Sequence, residues 1–465
     1  MSEELAMQDE TLDLLLGGAQ LIGVGPALES WPQAWIGIRG GRIAWLSRTR
    51  APMPARRELD LAGRIVSPGF INMHYHAGLN FVRGVAPDLG FAPSYTPGLP
   101  QASQLTPDEA AALSRLGAIE ALKSGCTTLV DSFVHADHIV PGMADTGVRL
   151  FASPRLNDVD FASVLAGARR FDPVRAQRVL REAEDFVTRW HGCAGGRVQA
   201  HLTAHAPDTC SPDFLKAVAA LARRHGLVIS THLAQSQEEV DWIQASHGCS
   251  PVELLQRLGL LAPDLLAGHC IHVSDEDIAL LADSGEQVVH IPLGNAVSGR
   301  FAPTHALRQA GARLSLATDT MHGDMIEAMR WALAVGRIQQ GHVSERWQPR
   351  DVLAMATLQG ATALGQGEAL GCIEPGRLAD LVVIDARAAH LTPCIDPVGT
   401  LVHNAAGHDV EHVIVDGRLV VENRRCVLVD EAEAIARAEE ACRAAWSRCE
   451  RPLRTYPPKR TEITA

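Results

Sequence analysis

Two histidines, His74 and His76, stand two residues apart at the end of an apolar run beginning near Ile65. On an extended segment, residues i and i+2 point the same way, so both imidazoles can reach one cation. Alone the pair is weak evidence, because core and surface histidines often share that spacing. Three later apolar runs end in the same manner, in Thr231-His232-Leu233, Gly268-His269-Cys270 and Ala317-Thr318-Asp319. Each places one ionisable residue where burial is costly without a partner. Imidazoles with a carboxylate make a set suited to a borderline cation such as Zn2+ or Fe2+. Such an ion lowers the pKa of a bound water toward neutrality. Asp319 could coordinate it and also accept the water's proton, and His269 could hydrogen-bond the attacking oxygen. A core histidine satisfied by backbone is the other reading of His269.

These residues need elements that end close together. Strand-length apolar runs occur at Ile65–Met73, Thr127–Val130, Val148–Ala152, Val198–Thr203, Leu227–Ser230, Leu265–Gly268, Gln287–Ile291 and Arg313–Ala317. Helix signals lie between most of them. Thr106-Pro107-Asp108-Glu109 forms a capping box with proline at N1, for a helix running to Gly125. Ser211-Pro212-Asp213 opens another that closes near Gly226, and Ser250-Pro251 and Ser274-Asp275 start two more. Eight buried strands alternating with helices predict an α/β fold, a (β/α)8 TIM barrel; an open doubly wound sheet has the same periodicity. In a parallel barrel, function gathers at the C-terminal ends of strands, where the four runs above place their polar residues.

Both chain ends carry a different texture. Ala19–Val24, Ala34–Ile38 and Arg42–Leu46 read as short strands, and so do Asp380–Ile384, Glu411–Val415 and Leu419–Val421 around the Asp416-Gly417 hairpin. Together they predict one small β-sandwich accessory domain. The expected division is residues 1–66 and 379–430 for the accessory domain, 67–378 for the barrel, and 431–465 for a C-terminal helix and a polar tail over the surface.

Composition narrows the function classes. With 465 residues, 46% hydrophobic and 21% charged, the chain can bury a large core. A net charge of −12 provides no basic field for nucleic acid. Ten cysteines without CxxC pairs read as reduced thiols. The acidic N-terminus lacks the pattern of a signal peptide, and no run approaches a membrane span. The expectation is a cytoplasmic protein acting on a small molecule, without membrane or nucleic-acid partners, assembled as a homodimer or homotetramer.

The ordered set "PGFINMHYH", "HAPDT", "THLAQSQEEV", "GHC", "HIPLGN" and "LATDT" resembles the amidohydrolase superfamily. The likeness is to its branch of cytosine, guanine, S-adenosylhomocysteine and triazine deaminases or hydrolases. "GCIEPGRLADLVVID" and "HVIVDGRLVV" look like that branch's C-terminal β segment, so the resemblance covers roughly residues 12–425. It implies His74, His76, His232 and Asp319 as metal ligands and His269 as the residue that steadies the hydrolytic water. It implies one divalent ion, Zn2+ first, with Fe2+, Mn2+ or Co2+ as alternatives, since no lysine occupies the place of the carbamylated bridge. His205 is implied as a contact to a heterocyclic substrate, with Arg83 near a second contact. For His205 loop ordering is the alternative, and for Arg83 a surface ion pair. Arg155 could meet an anionic substrate group or serve structure alone. His322 and Asp324 could line the pocket floor or cap the following helix, and Asn295 is expected to shape the seventh loop.

One position departs from the pattern. Deaminases of this branch carry a glutamate three residues after the fifth-strand ligand, where it protonates a ring nitrogen and relays protons to the departing ammonia. Here that residue is Gln235, which cannot shuttle a proton at neutral pH. The expected function is a mononuclear metal-dependent hydrolase. It would direct metal-bound hydroxide at an amidine-, amide-, urea- or thioamide-like carbon of a small heterocycle, with a leaving group other than ammonia. A purine, pyrimidine, pterin or triazine deaminase is the alternative, and a non-catalytic metal- or ligand-binding barrel is a third reading.

Overall fold

The computed structural model describes residues 11–50, 52–89, 96, 98–165, 167–320 and 322–449. The acidic N-terminus and the polar tail lie outside the described residues.

Eight parallel strands form the central barrel: β1 (Phe70–Tyr75), β2 (Cys126–Phe133), β3 (Arg149–Leu156), β4 (Val198–Ala200 and Leu202–Ala204, interrupted at His201), β5 (Ile229–Leu233), β6 (Leu265–His269), β7 (Gln287–His290) and β8 (Arg313–Leu316). Each pairs with the next in sequence order. The ring closes just beyond β8. Asp319 bridges Tyr75, its N–H donating to the His74 carbonyl at 3.0 Å and its own carbonyl accepting from His76 N at 2.9 Å. Closure is reinforced by side chains: Asn72 Nδ2 donates to Thr318 Oγ1 at 2.7 Å, and Thr318 N donates back to Asn72 Oδ1 at 3.1 Å. These bonds put both chemical ends of the ring, His74–His76 and Asp319, in register.

The helices start where their caps dictate. Thr106 and Glu109 close a capping box on the helix Pro107–Lys123, and Ser211 caps Pro212–Arg224 with Gly226 at φ +64° past its end. Helix residues such as Leu113, Leu122, Phe186, Phe214 and Val218 bury against the outer faces of the strands. A separate apolar cluster takes Ile71, Val130, Phe151, Leu266 and Val289 from five different strands, joined by Ala361, Leu364 and Leu370. It therefore fills the barrel itself.

The second sheet draws on both chain ends, as expected. The strands Leu14–Val24, Glu29–Arg39, Arg42–Ser47 and Arg64–Pro68 meet Leu381–Asp385, Val410–Val415, Arg418–Glu422 and Arg425–Cys426 in one sheet. The seam is the antiparallel pairing of Arg64–Pro68 with Leu381–Asp385. Here the sequence expectation needs a correction: Ile65–Met73 is not one strand. It divides at Gly69, with the first part in the accessory sheet and the second in the barrel. A Cβ on Gly69 would lie 2.0 Å from Thr127 Oγ1, so only glycine lets the chain pass between the two sheets at this point. A buried ion pair, Arg149 on β3 with Asp380 at 2.9 Å, ties barrel to accessory sheet. All ten cysteines are unpaired, and among the described residues no helix is long and apolar enough to cross a membrane.

Candidate metal centre

His74, His232, His269 and Asp319 each bring a donor atom to within 4.8 Å of the others. His76 joins them: its Nε2 lies 3.5 Å from Asp319 Oδ1 and 3.3 Å from His232 Nε2. His74 Nε2 is 3.6 Å from Asp319 Oδ1, and His269 Nε2 is 4.0 Å from Oδ2. The structure thus gathers all four residues read as ligands, with His269 as a fifth member. They come from the ends of β1, β5, β6 and β8.

Backbone carbonyls fix the rings. His76 Nδ1 lies 2.6 Å from the Ser132 carbonyl, and His232 Nδ1 2.6 Å from the His205 carbonyl. Each Nδ1 must therefore carry the proton, which leaves Nε2 as a lone pair facing the centre. His269 is set differently, through Nδ1 to Asn295 Oδ1 at 3.1 Å. Asn295 was expected to shape its loop only; it also orients the sixth-strand histidine, which a sequence pattern cannot show.

Burial holds three of the imidazoles, His76, His232 and His269, neutral. It lowers His76 to about 3, helped by the charge of His74, and His269 to about 4, where Asp319 pulls the other way. It takes His232 well below the usual range, again with His74 adding to the effect. Asp319 behaves oppositely. Burial would raise its carboxyl, yet the nearby imidazoles of His74, His269 and His76 bring it below its ordinary value. The centre is thus an ionised carboxylate among buried imidazoles, of which His76, His232 and His269 are neutral. Two inward lone pairs at 3.3 Å repel, and His74 Nε2 is buried without a hydrogen-bond partner among the described residues. A divalent cation satisfies both conditions, and this donor set fits one.

The backbone is strained at the same positions. Asp319 has φ +67°, His269 φ +73° and Ala234, two residues beyond His232, φ +47°. Non-glycine residues adopt this region at a cost, and here it turns side chains at strand ends toward one point.

The surrounding residues divide. His205 lies beside the centre, its ring 4.9 Å from that of His232, with Nδ1 2.7 Å from Thr209 Oγ1 and Nε2 hydrogen-bonded to Arg155. The Arg155 guanidinium also stacks 5.6 Å from the Phe161 ring centroid, so the two candidate substrate contacts form one wall. Arg83 pairs with Glu120, and Glu120 Oε1 accepts from Gly323 N at 3.3 Å. His322 is three residues past Asp319, its ring nitrogens buried with no hydrogen-bond partner among the described residues. Asp324 caps the helix Met325–Gln340, accepting from Ile326 N at 2.9 Å and Glu327 N at 3.2 Å.

Gln235 occupies the turn after β5, half-buried. Its N–H and that of Ala234 both donate to the Glu239 carboxylate at 2.8 Å. Glu239, in the first turn of the helix Gln237–His247, thereby clasps this turn. Asp208, one residue before Thr209, lies close enough that its charge adds to burial in raising Glu239 to about 8, and Arg169 binds Asp208 at 2.8 Å.

The chain is 34% identical over 418 residues to a 5-methylthioadenosine/S-adenosylhomocysteine deaminase of Desulforudis audaxviator, covering 88% of this chain and 94% of that protein. It is 33% identical over 410 residues to a 5'-deoxyadenosine deaminase of Methanothermobacter thermautotrophicus, covering 87% and 93%. Among solved structures, an adenosine deaminase from Xanthomonas campestris with bound zinc superposes with a TM-score of 0.84 at 25% identity, over 94% of this chain and 99% of that one. An atrazine chlorohydrolase from Arthrobacter aurescens complexed with zinc shares the fold, with a TM-score of 0.84 at 22% identity over 92% and 100%. The model of the amidohydrolase family matches residues 65–420, the last accessory strand before the barrel through to the returning hairpin, so the chain belongs to the amidohydrolase family and is a hydrolytic enzyme.

Proposed function

We propose that the protein is a mononuclear metal-dependent hydrolase of a small heterocycle. Attack falls on an amidine-type ring carbon, and the favoured leaving group departs without strong protonation. The observation that carries the hydrolase reading is the convergence of His74, His76, His232, His269 and Asp319 on one point. His74, His76, His232 and Asp319 would hold the ion, Zn2+ by preference for this donor set. When bound, the ion supplies Lewis acidity that makes a water acidic near neutral pH.

The protein's own groups supply the rest. Asp319 is ionised and lies within 4.0 Å of the His74, His76 and His269 imidazoles, so it can take the proton from the attacking water. His269 is neutral with Nδ1 donating to Asn295, so Nε2 can accept a hydrogen bond from that water and orient it. His205 and Arg155 form the polar wall against which the heterocycle would lie. Gln235 can hold a ring nitrogen or substituent by hydrogen bonds but cannot deliver a proton to it.

A second reading is an aminohydrolase of an adenosine-type nucleoside. It is supported by the names of relatives about one-third identical over most of the chain. In that case Asp319 and His269 would relay the proton that Gln235 cannot. Purine nucleosides bearing amino, chloro or methylthio groups at the same ring carbon separate the readings on one scaffold. The first reading expects chloride or thiolate to leave at least about tenfold faster than ammonia, the ratio worth about 1.4 kcal/mol of barrel-derived barrier difference. Efficient ammonia release, unchanged in Gln235→Glu, would favour the second and reduce Gln235 to an orienting residue.

A further inference from the structure

Away from the barrel mouth, His390, His408 and Asp409 bring one donor atom each within 4.8 Å of one another. His390 belongs to the short turn Ala389–Leu391 and the other two to the turn Gly407–Asp409, with the helix Pro397–His403 between them. The Asp409 side chain is 2% exposed, whereas those of His390 and His408 are 47% and 76% exposed. Asp409 Oδ2 accepts from Ala406 N at 2.9 Å and lies 3.0 Å from His390 Nε2; Oδ1 lies 3.7 Å from His408 Nε2. A buried carboxylate calls for compensating positive charge, and here two imidazoles stand on its open side.

We propose that these three residues form a second divalent-cation site, open to solvent and separate from the catalytic centre. Two imidazoles and one carboxylate suit Zn2+ and neighbouring borderline ions. Bonds of about 2.0–2.2 Å in tetrahedral array set ligand atoms about 3.4 Å apart, a spacing that the observed 3.0 and 3.7 Å bracket. Asp409 is fixed by burial and by its bond from Ala406, whereas His408 is exposed. In the neighbouring groove, lined with His408 by Arg83, Lys123 and Arg424, the first two cations are paired with Glu120 and Glu431. An ion here would join the two turns. The Gly407–Asp409 turn is already fastened to the helix Met325–Gln340, since Gly407 N donates to its capping residue, Asp324 Oδ2, at 2.8 Å.

The test is a zinc titration of the protein with its catalytic metal in place, read by calorimetry and elemental analysis. The native protein should take up one further equivalent and melt at a higher temperature with it. His390→Ala and His408→Ala, both at exposed positions, should each weaken that uptake by about tenfold or more. The double variant should abolish both uptake and thermal shift, with catalytic metal content and turnover unchanged. The proposal is overturned if the native protein takes up no further equivalent at sub-millimolar zinc, or if the double variant binds zinc as the native protein does.

Discussion

His76 and His232 face each other with Nε2 atoms 3.3 Å apart, and each ring is pinned through Nδ1 to a carbonyl 2.6 Å away. Neither nitrogen can offer the other a proton, so the pair is stable only around a shared cation. The carbonyls come from the ends of neighbouring strands, Ser132 beside β1 and His205 beside β5. Barrel geometry therefore sets the protonation pattern that metal binding needs.

His269 depends on a side chain for the same service, which makes it the more sensitive member. Asn295→Ala should remove the acceptor for Nδ1 and lower kcat by about 10- to 100-fold, the usual cost of losing such a support. Bound metal should stay near its native level, because His269 is not among the four proposed ligands. Steady-state kinetics with elemental analysis checks both halves; unchanged kcat would remove His269 orientation from the mechanism.

Glu239 should prove structural and indispensable to the turn bearing Gln235. It accepts from both Ala234 and Gln235 in a buried setting. Glu239→Ala would strand two N–H groups, with an expected loss of about 2–4 kcal/mol, whereas Glu239→Gln keeps one acceptor and should lose less. Chemical unfolding of the two variants measures the difference. Equal losses would mean that the clasp contributes little.

The fold was legible because periodicity and caps agree: glycine, proline and capping residues mark the helix ends, and apolar runs mark the strands. The clustering of His74, His76, His232, His269 and Asp319 was legible because its members all end such runs. What escaped were relations between distant residues. Nothing near Gly69 announces that Thr127 will crowd it, so one apolar run hid two strands. Asn295 and Glu239 have ordinary local roles in a loop and a helix, and their partners lie 26 and about five residues away across turns that the sequence does not draw. For Arg83 the sequence left a substrate contact and a surface ion pair open, and it could not name Glu120, on the helix Pro107–Lys123, as the ion-pair partner.

Asp131 predicts a pH dependence of stability. Burial lifts its carboxyl to about 7, although its bond from Ala77 N pulls it down. The folded protein then keeps a proton that the unfolded chain releases above about pH 4. This contribution is therefore full below about pH 4, falls as pH rises toward 7 and levels off beyond. Asp131→Asn retains an acceptor for Ala77 without the charge. It should flatten that decline and raise stability at pH 8 by on the order of 1–3 kcal/mol. Parallel pH profiles of native protein and variant would refute this by keeping the same slope between pH 4 and 7.

The most direct measurement is the metal content of native protein, His74→Ala and His232→Ala after passage over a chelating resin, with turnover assayed on the same samples. The native protein should retain about one equivalent of a divalent metal per chain and hydrolyse its heterocycle. Each variant should lose most of the metal and essentially all turnover, since an opened coordination shell binds orders of magnitude more weakly. Full metal retention with undiminished turnover in both variants would contradict the assignment of the centre.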